Sequence, residues 1–174
     1  MNLTVAARDL LYVVIRPTFS RIGLSGKAAE ELLLGTALVE SGTLGFRLFQ
    51  AGSGSAMSPW QIKPETHRLI WRWLWSKAGP SLPFGVLSLA WEGREDIRTG
   101  KVDAHQTLLP ELPFNLRLAC AEARCLYRSI PYLLPAAGDY AAQARYWKRW
   151  YNTPKGRGDP ARYVELMERV EEIL

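Results

Sequence analysis

A chain of 174 residues, 48% of them hydrophobic, is long enough to bury a core and too apolar for a disordered binding segment. Its net charge of +5 and pI near 9.4 favour an anionic neighbour: nucleic acid, acidic lipid or a bacterial wall. Arginines and lysines are scattered among acids without a tail or stripe, which argues against a nucleic-acid-binding arm.

In chain order, residues 3 to 15 have the pattern of a first helix ended by Pro17. Its apolar run, Leu10 to Ile15 behind Arg8 and Asp9, is too short for a membrane span and has the wrong flank for an export signal. No signal peptide and no transmembrane segment are therefore expected. Ser25 suits an N-cap for a helix from Lys27 to Glu40, with Gly42 beyond its end. Residues 43 to 58 read as a loop, with room for a short β-hairpin. Pro64 fits the first turn of a helix carrying Leu69 to Trp75 and stopped at Gly79-Pro80.

Further helices are expected over Phe84 to Glu92 and from Leu112 or Pro113 to Tyr127. A turn at Pro135 to Gly138 leads to a helix through Tyr146 to Trp150, broken by the loop Asn152 to Gly158. A last amphipathic helix spans Pro160 to Ile173, with Tyr163, Leu166, Met167, Val170 and Leu174 on one stripe. No repeat or linker interrupts this pattern, so one mainly helical domain over 1–174 is the expectation. Cys120 and Cys125, five apart on a helix, point in different directions, which suggests two free thiols and synthesis in a reducing compartment. His67 and His105 supply no metal-ligand spacing with them, so neither a metal nor another cofactor is expected.

The chemistry-bearing pattern begins at Glu40-Ser41-Gly42. It continues through Ser55-Ala56-Met57-Ser58-Pro59-Trp60-Gln61-Ile62-Lys63-Pro64-Glu65-Thr66, with Gln61 about twenty residues beyond Glu40. This resembles the soluble-type lytic transglycosylases, whose pattern is Glu-Ser followed by Gly-Ala-x-Gly-Leu-Met-Gln-Ile-x-Pro-x-Thr. Gln61, Pro64 and Thr66 match; Ser58 replaces the second glycine and Pro59-Trp60 replace Leu-Met. The family's third motif, Ala-Tyr-Asn-Ala-Gly, has its counterpart in Tyr151-Asn152-Thr153, followed by Gly156 and Gly158 and lying farther downstream than usual. Tyr127 lies at a more typical distance but lacks the asparagine. The resemblance covers roughly a fifth of the chain.

The resemblance implies a mainly α, lysozyme-like domain that cleaves the MurNAc–GlcNAc bond of peptidoglycan glycan strands. One glutamate acts first as acid and then as base while the muramic C6 hydroxyl closes a 1,6-anhydro ring. Glu40 suits that role, because burial behind an apolar stripe and the negative end of a helix both favour a protonated carboxyl. Glu31, nine residues back and roughly 13 Å away along a helix, is badly spaced for a partner carboxylate, and Glu65 fits a helix N-terminus. Among the substrate-binding candidates, Ser41 either orients the carboxylate or is an ordinary helix-end residue. Gln61 lines the cleft, and Trp60 either stacks on a sugar or belongs to the core. Tyr151 and Asn152 close one wall and position Glu40, the phenol donating to its carboxyl. Trp71 and Trp75 read as packing.

The stretch Tyr146 to Thr153 also resembles tails of tailed-phage wall-degrading proteins, so the partners implied are peptidoglycan and other virion proteins; nucleic acid is not expected. A virion-associated enzyme that opens the wall for genome ejection is favoured over an endolysin; either would be made in the host cytoplasm and act on the wall. The alternatives are a muramidase with a water-activating carboxylate in Glu92 to Asp103, a non-catalytic virion protein of the same fold, and a basic nucleic-acid-binding module.

Overall fold

The structure is a computed structural model that describes residues 2–41, 49, 54–154 and 156–174. Its first helical stretch runs past the proline expected to end it. Helix α1 (Leu3–Asp9) passes into a π turn (Leu10–Ile15) and then α2 (Arg16–Ile22), which ends at Gly23 in the left-handed conformation. The widened turn accommodates Pro17. The Arg16 amide reaches back five residues to the Leu11 carbonyl, and the Val13 carbonyl, which a proline four residues on cannot satisfy, accepts from Arg117 Nη2 at 3.4 Å.

The next helix, α3 (Lys27–Ser41), begins one residue later than a Ser25 cap would place it, with the Gly26 carbonyl accepting from the Glu30 amide. It is buried on every side along Glu31 to Leu38. Such a helix is the centre of a packed domain rather than one of its walls. The π turn, α8 (Leu116–Ser129), α9 (Tyr140–Trp147) and α10 (Pro160–Glu168) pack around it. The closest approach is at Gly35, where a Cβ would stand 2.3 Å from the Tyr163 ring. Only glycine lets α10 lie this close.

Helix α4 (Pro64–Lys77) has the proline in its first turn and buries His67, Ile70, Trp71 and Leu74, a single stripe facing α8. The helix expected over Phe84 to Glu92 is instead α5 (Ser81–Leu87). It stops early because the amides of Trp91 and Glu92 turn to the Glu111 carboxylate, at 2.9 and 3.1 Å. Two short helices, α6 (Arg94–Arg98) and α7 (Ala104–Leu108), occupy a stretch with too few periodic apolar residues to announce them. Helix α8 starts at Leu116, after Leu112 and Pro113, because the Asn115 side chain caps it by accepting from the Leu118 amide. The run through Tyr146 to Trp150 is the end of α9 and a second π turn (Lys148–Asn152). The last helix breaks after Glu168 and resumes as a 3-10 turn at Glu171–Ile173; Tyr163, Leu166, Met167 and Val170 of its expected stripe are buried.

The molecule is mainly helical, and among the described residues its core is a cluster of buried apolar side chains drawn from Ala7 to Ile173. Cys120 and Cys125 lie within it as free thiols; burial pushes both up, Cys125 to about 12. Among the described residues the extended structure is limited to two antiparallel bridges, Phe49 with Met57 and Met57 with Ile62, and no helix is long and apolar enough to cross a membrane. Gly42 and most of the expected 43–58 loop lie outside the described residues.

Candidate functional site

Glu40 occupies the last turn of α3, where the helix emerges from the core, and is partly buried. Two neutral donors hold it. Trp147, the final residue of α9 and itself fully buried, donates its indole N–H to Oε1 at 3.0 Å. Asn152, at the end of the second π turn, directs Nδ2 to the same oxygen at 3.4 Å. The other oxygen, Oε2, has no hydrogen-bond partner among the described residues. Burial raises the carboxyl above the ordinary glutamate range. The Trp147 and Asn152 hydrogen bonds and the charges of Lys148 and Lys63 offset part of that rise.

The Asn152 carboxamide has only one sensible orientation. Its oxygen accepts from Lys148 Nζ at 2.9 Å and from the Gly158 amide at 3.1 Å, so its NH2 must face the carboxyl. Lys148 also donates to the Gly156 carbonyl at 2.6 Å. The chain between them leaves helical geometry at Thr153, whose φ of 71° and ψ of 151° are backbone values normally confined to glycine. Gly156 and Gly158 fit because they have no side chain. A Cβ on the first would stand 2.2 Å from the Asn152 carbonyl oxygen, and one on the second 2.3 Å from the Trp147 ring.

These residues line a cleft of about 800 Å³ with Glu40, Gln61, Tyr151 and Asn152 in its walls and Lys63 and Arg157 on its cationic side. Glu40 is the only carboxylate among the described lining residues. None of residues 42–48, 50–53 and 155 is an Asp or Glu. The Glu92 to Asp103 segment lies elsewhere, around α6 beyond Trp75.

The motif turn lines the same cleft as Glu40. Met57 and Ile62 exchange backbone hydrogen bonds at 2.9 and 2.8 Å and enclose a four-residue turn. Ser58 has φ +66°, and Gln61 has φ +49°. The first of these explains the motif's glycine at that position: the turn demands a left-handed residue, and here serine adopts it. Gln61 faces the cleft while its Nε2 donates to the Ser58 carbonyl at 2.8 Å. Trp60 is a core residue, fully buried with its indole donating to the Leu33 carbonyl at 3.0 Å, and has no face free to stack on a sugar. Ser41 is buried and turns its hydroxyl back to the Ala37 carbonyl of its own helix, so it does not orient Glu40.

Tyr151 lines the cleft, but its hydroxyl donates to the Trp60 carbonyl at 2.7 Å and not to Glu40. It ties the π turn to the motif turn. Its ring stacks on Tyr127 at 5.2 Å, and the Tyr127 hydroxyl is buried against Thr36 at 2.8 Å. Tyr127 therefore supports Tyr151 from behind. Trp71 is core, its indole bonded to Glu122, whereas Trp75 is half exposed.

Sequence reasoning missed Trp147 and Lys148. A signal existed: Trp147 stands four residues before Tyr151, on the same helical face as the tyrosine of the third motif. No protein-family model matches the chain, and no curated protein or solved structure matches it.

Proposed function

We propose that the protein cleaves peptidoglycan glycan strands as a lytic transglycosylase, with Glu40 as the single acid and base. The observation that carries this reading is convergence. Three separated pieces of sequence, Glu40, the turn ending at Gln61, and Tyr151-Asn152, meet in one cleft around a carboxyl whose proton affinity is raised. A raised carboxyl is suited to giving a proton to a glycosidic oxygen and taking one back from a hydroxyl. In the reaction, Glu40 protonates the oxygen leaving muramic C1, the substrate's N-acetyl group stabilises the intermediate, and the ionised Glu40 then takes the C6 hydroxyl proton as that oxygen bonds to C1. The products are a new 4-hydroxyl end and a 1,6-anhydro end.

Hydrolysis by an inverting or retaining route needs a second carboxylate about 5–9.5 Å from the first. The cleft's described lining holds only Glu40, which favours transglycosylation over a muramidase. The cationic side at Lys63 and Arg157 suits an anionic wall polymer. A role in a phage virion, opening the wall locally for genome ejection, belongs to the same proposal. Digestion of purified peptidoglycan followed by mass analysis of the fragments tests it. Anhydro-muramic ends from the wild type and none from Glu40→Gln are expected; reducing ends, or an active Glu40→Gln variant, overturn it.

A further inference from the structure

We infer that Lys148 is a positioning residue for the acid: by holding the Asn152 carboxamide oxygen and the Gly156 carbonyl together, its ammonium fixes the amide's NH2 on Glu40 and straps Gly156 against Asn152. The inference rests on the reading of Glu40 as the acid. Three observations carry it. Lys148 Nζ lies within hydrogen-bond distance of both oxygens, Asn152 Oδ1 and Gly156 O. The Gly158 amide joins it on the same Asn152 oxygen, so the carboxamide is clamped from two sides. Thr153, which follows Asn152, holds a left-handed backbone conformation that needs an external restraint to persist.

The physical consequence concerns which end of the amide the carboxyl meets. An NH2 facing Glu40 favours the ionised form, whereas a flipped amide would present its oxygen and disfavour it. Without Lys148, only the Gly158 amide opposes that flip. A lysine serves here because a compact ammonium with three donors can reach two oxygens from different parts of the loop. Other groups also face the carboxyl: Lys63 before α4, Tyr151 in the same π turn and Tyr127 on α8, with Arg157 in the cleft wall. Among the described residues none of them hydrogen-bonds the Asn152 side chain, so the amide's orientation separates Lys148 from the rest.

Because Trp147 donates its indole N–H to Glu40, the NMR resonance of that N–H reports the carboxyl's ionisation with no substrate present. Glu40→Gln should abolish its titration and so identify the group. Lys148→Met should move the midpoint to higher pH by at least about half a unit, as expected for losing both a stabilising donor orientation and a nearby charge. The same substitution in an Asn152→Ala background should give a smaller shift, since only the direct effect of the charge remains. Lys148→Arg should restore at least half of the change, and Lys148→Gln replaces the methionine variant should that fail to fold. An unshifted midpoint, or an equal shift in both backgrounds, overturns the positioning role. The two readings fail separately. A wild type without wall-lytic activity removes the proposed function and leaves the coupling intact, whereas an unshifted midpoint removes the coupling alone.

Discussion

Two glutamates in this protein each accept a hydrogen bond from a tryptophan indole, and they differ in what else surrounds them. Glu122 on α8 is fully buried. It takes Trp71 Nε1 at 2.9 Å on one oxygen and His67 Nδ1 at 2.7 Å on the other, while His67 Nε2 donates to the His105 carbonyl at 3.1 Å. Both ring nitrogens thus face oxygen acceptors, an arrangement that favours the imidazolium form. Burial alone lowers its proton affinity, but the charge and hydrogen bond of Glu122 and the His105 carbonyl raise it further than burial lowers it. Glu40 has the indole of Trp147 and the amide of Asn152, both neutral and both on one oxygen. One carboxylate is balanced by a charge and closed off; the other is left under-compensated at a cleft. On the proposed function, the difference separates a group that holds helices together from one that exchanges a proton.

The largest effect should come from removing the under-compensated group. Glu40→Gln is expected to lower glycan cleavage by at least about a thousandfold, measured as release of soluble wall fragments. It should also raise the melting temperature at neutral pH. A carboxyl whose folded pKa is raised makes its contribution below the unfolded value near 4.3 and loses it as pH climbs through the folded value. The stabilisation should therefore vanish near pH 4. Equal melting temperatures at pH 7 would mean that Glu40 is not under-compensated.

The balanced pair should behave in the opposite way. Glu122→Gln leaves an imidazolium buried without its partner and should cost about 3–5 kcal/mol in urea unfolding, with the surviving folded protein still able to cleave glycan. In the wild type, the raised His67 stabilises fully below about pH 6.5 and its contribution is lost as pH rises through the folded value. The variant should lack that decline. If Glu122→Gln and wild type have the same stability, the pair is not what joins α4 to α8.

Gly158→Ala sharpens the comparison from the strap. Its methyl would press on the Trp147 ring and on Asn152 Nδ2 at 2.7 Å, displacing both donors to Glu40. A loss of about 1–3 kcal/mol in stability is expected, accompanied by a larger proportional loss in cleavage; unchanged turnover would show that the strap does not hold the acid. The smallest effect belongs to Tyr151→Phe. Removing its bond to the Trp60 carbonyl should cost about 1 kcal/mol and leave the pH–rate profile where it was. A shifted profile would restore the direct contact between phenol and carboxyl that the sequence suggested.

The helical content, the proline-started α4 and the buried stripe of α10 could be read from periodicity, because each depends on residues within a few turns of one another. Glu40, Gln61, Tyr151 and Asn152 could be named because they stand in a local pattern. Other features depended on partners distant in sequence. Pro17 continues a helix because a π turn and Arg117, a hundred residues on, deal with the carbonyl it cannot bond. Trp60 became core because the Leu33 carbonyl was there to take its indole, and Tyr151 turned from Glu40 to the Trp60 carbonyl. Short α6 and α7 had too little pattern of their own.

The sequence by itself determined a mainly helical chain, where its principal helices lie, and which acid carries a family-like motif, since these follow from spacing along one strand of chain. Only the tertiary structure decided which carboxylate is neutralised and which is left exposed to a cleft. That choice depends on where a histidine, two tryptophans, a lysine and an asparagine from separate helices come to rest, and desolvation and hydrogen-bond direction are properties of that arrangement rather than of any segment within it.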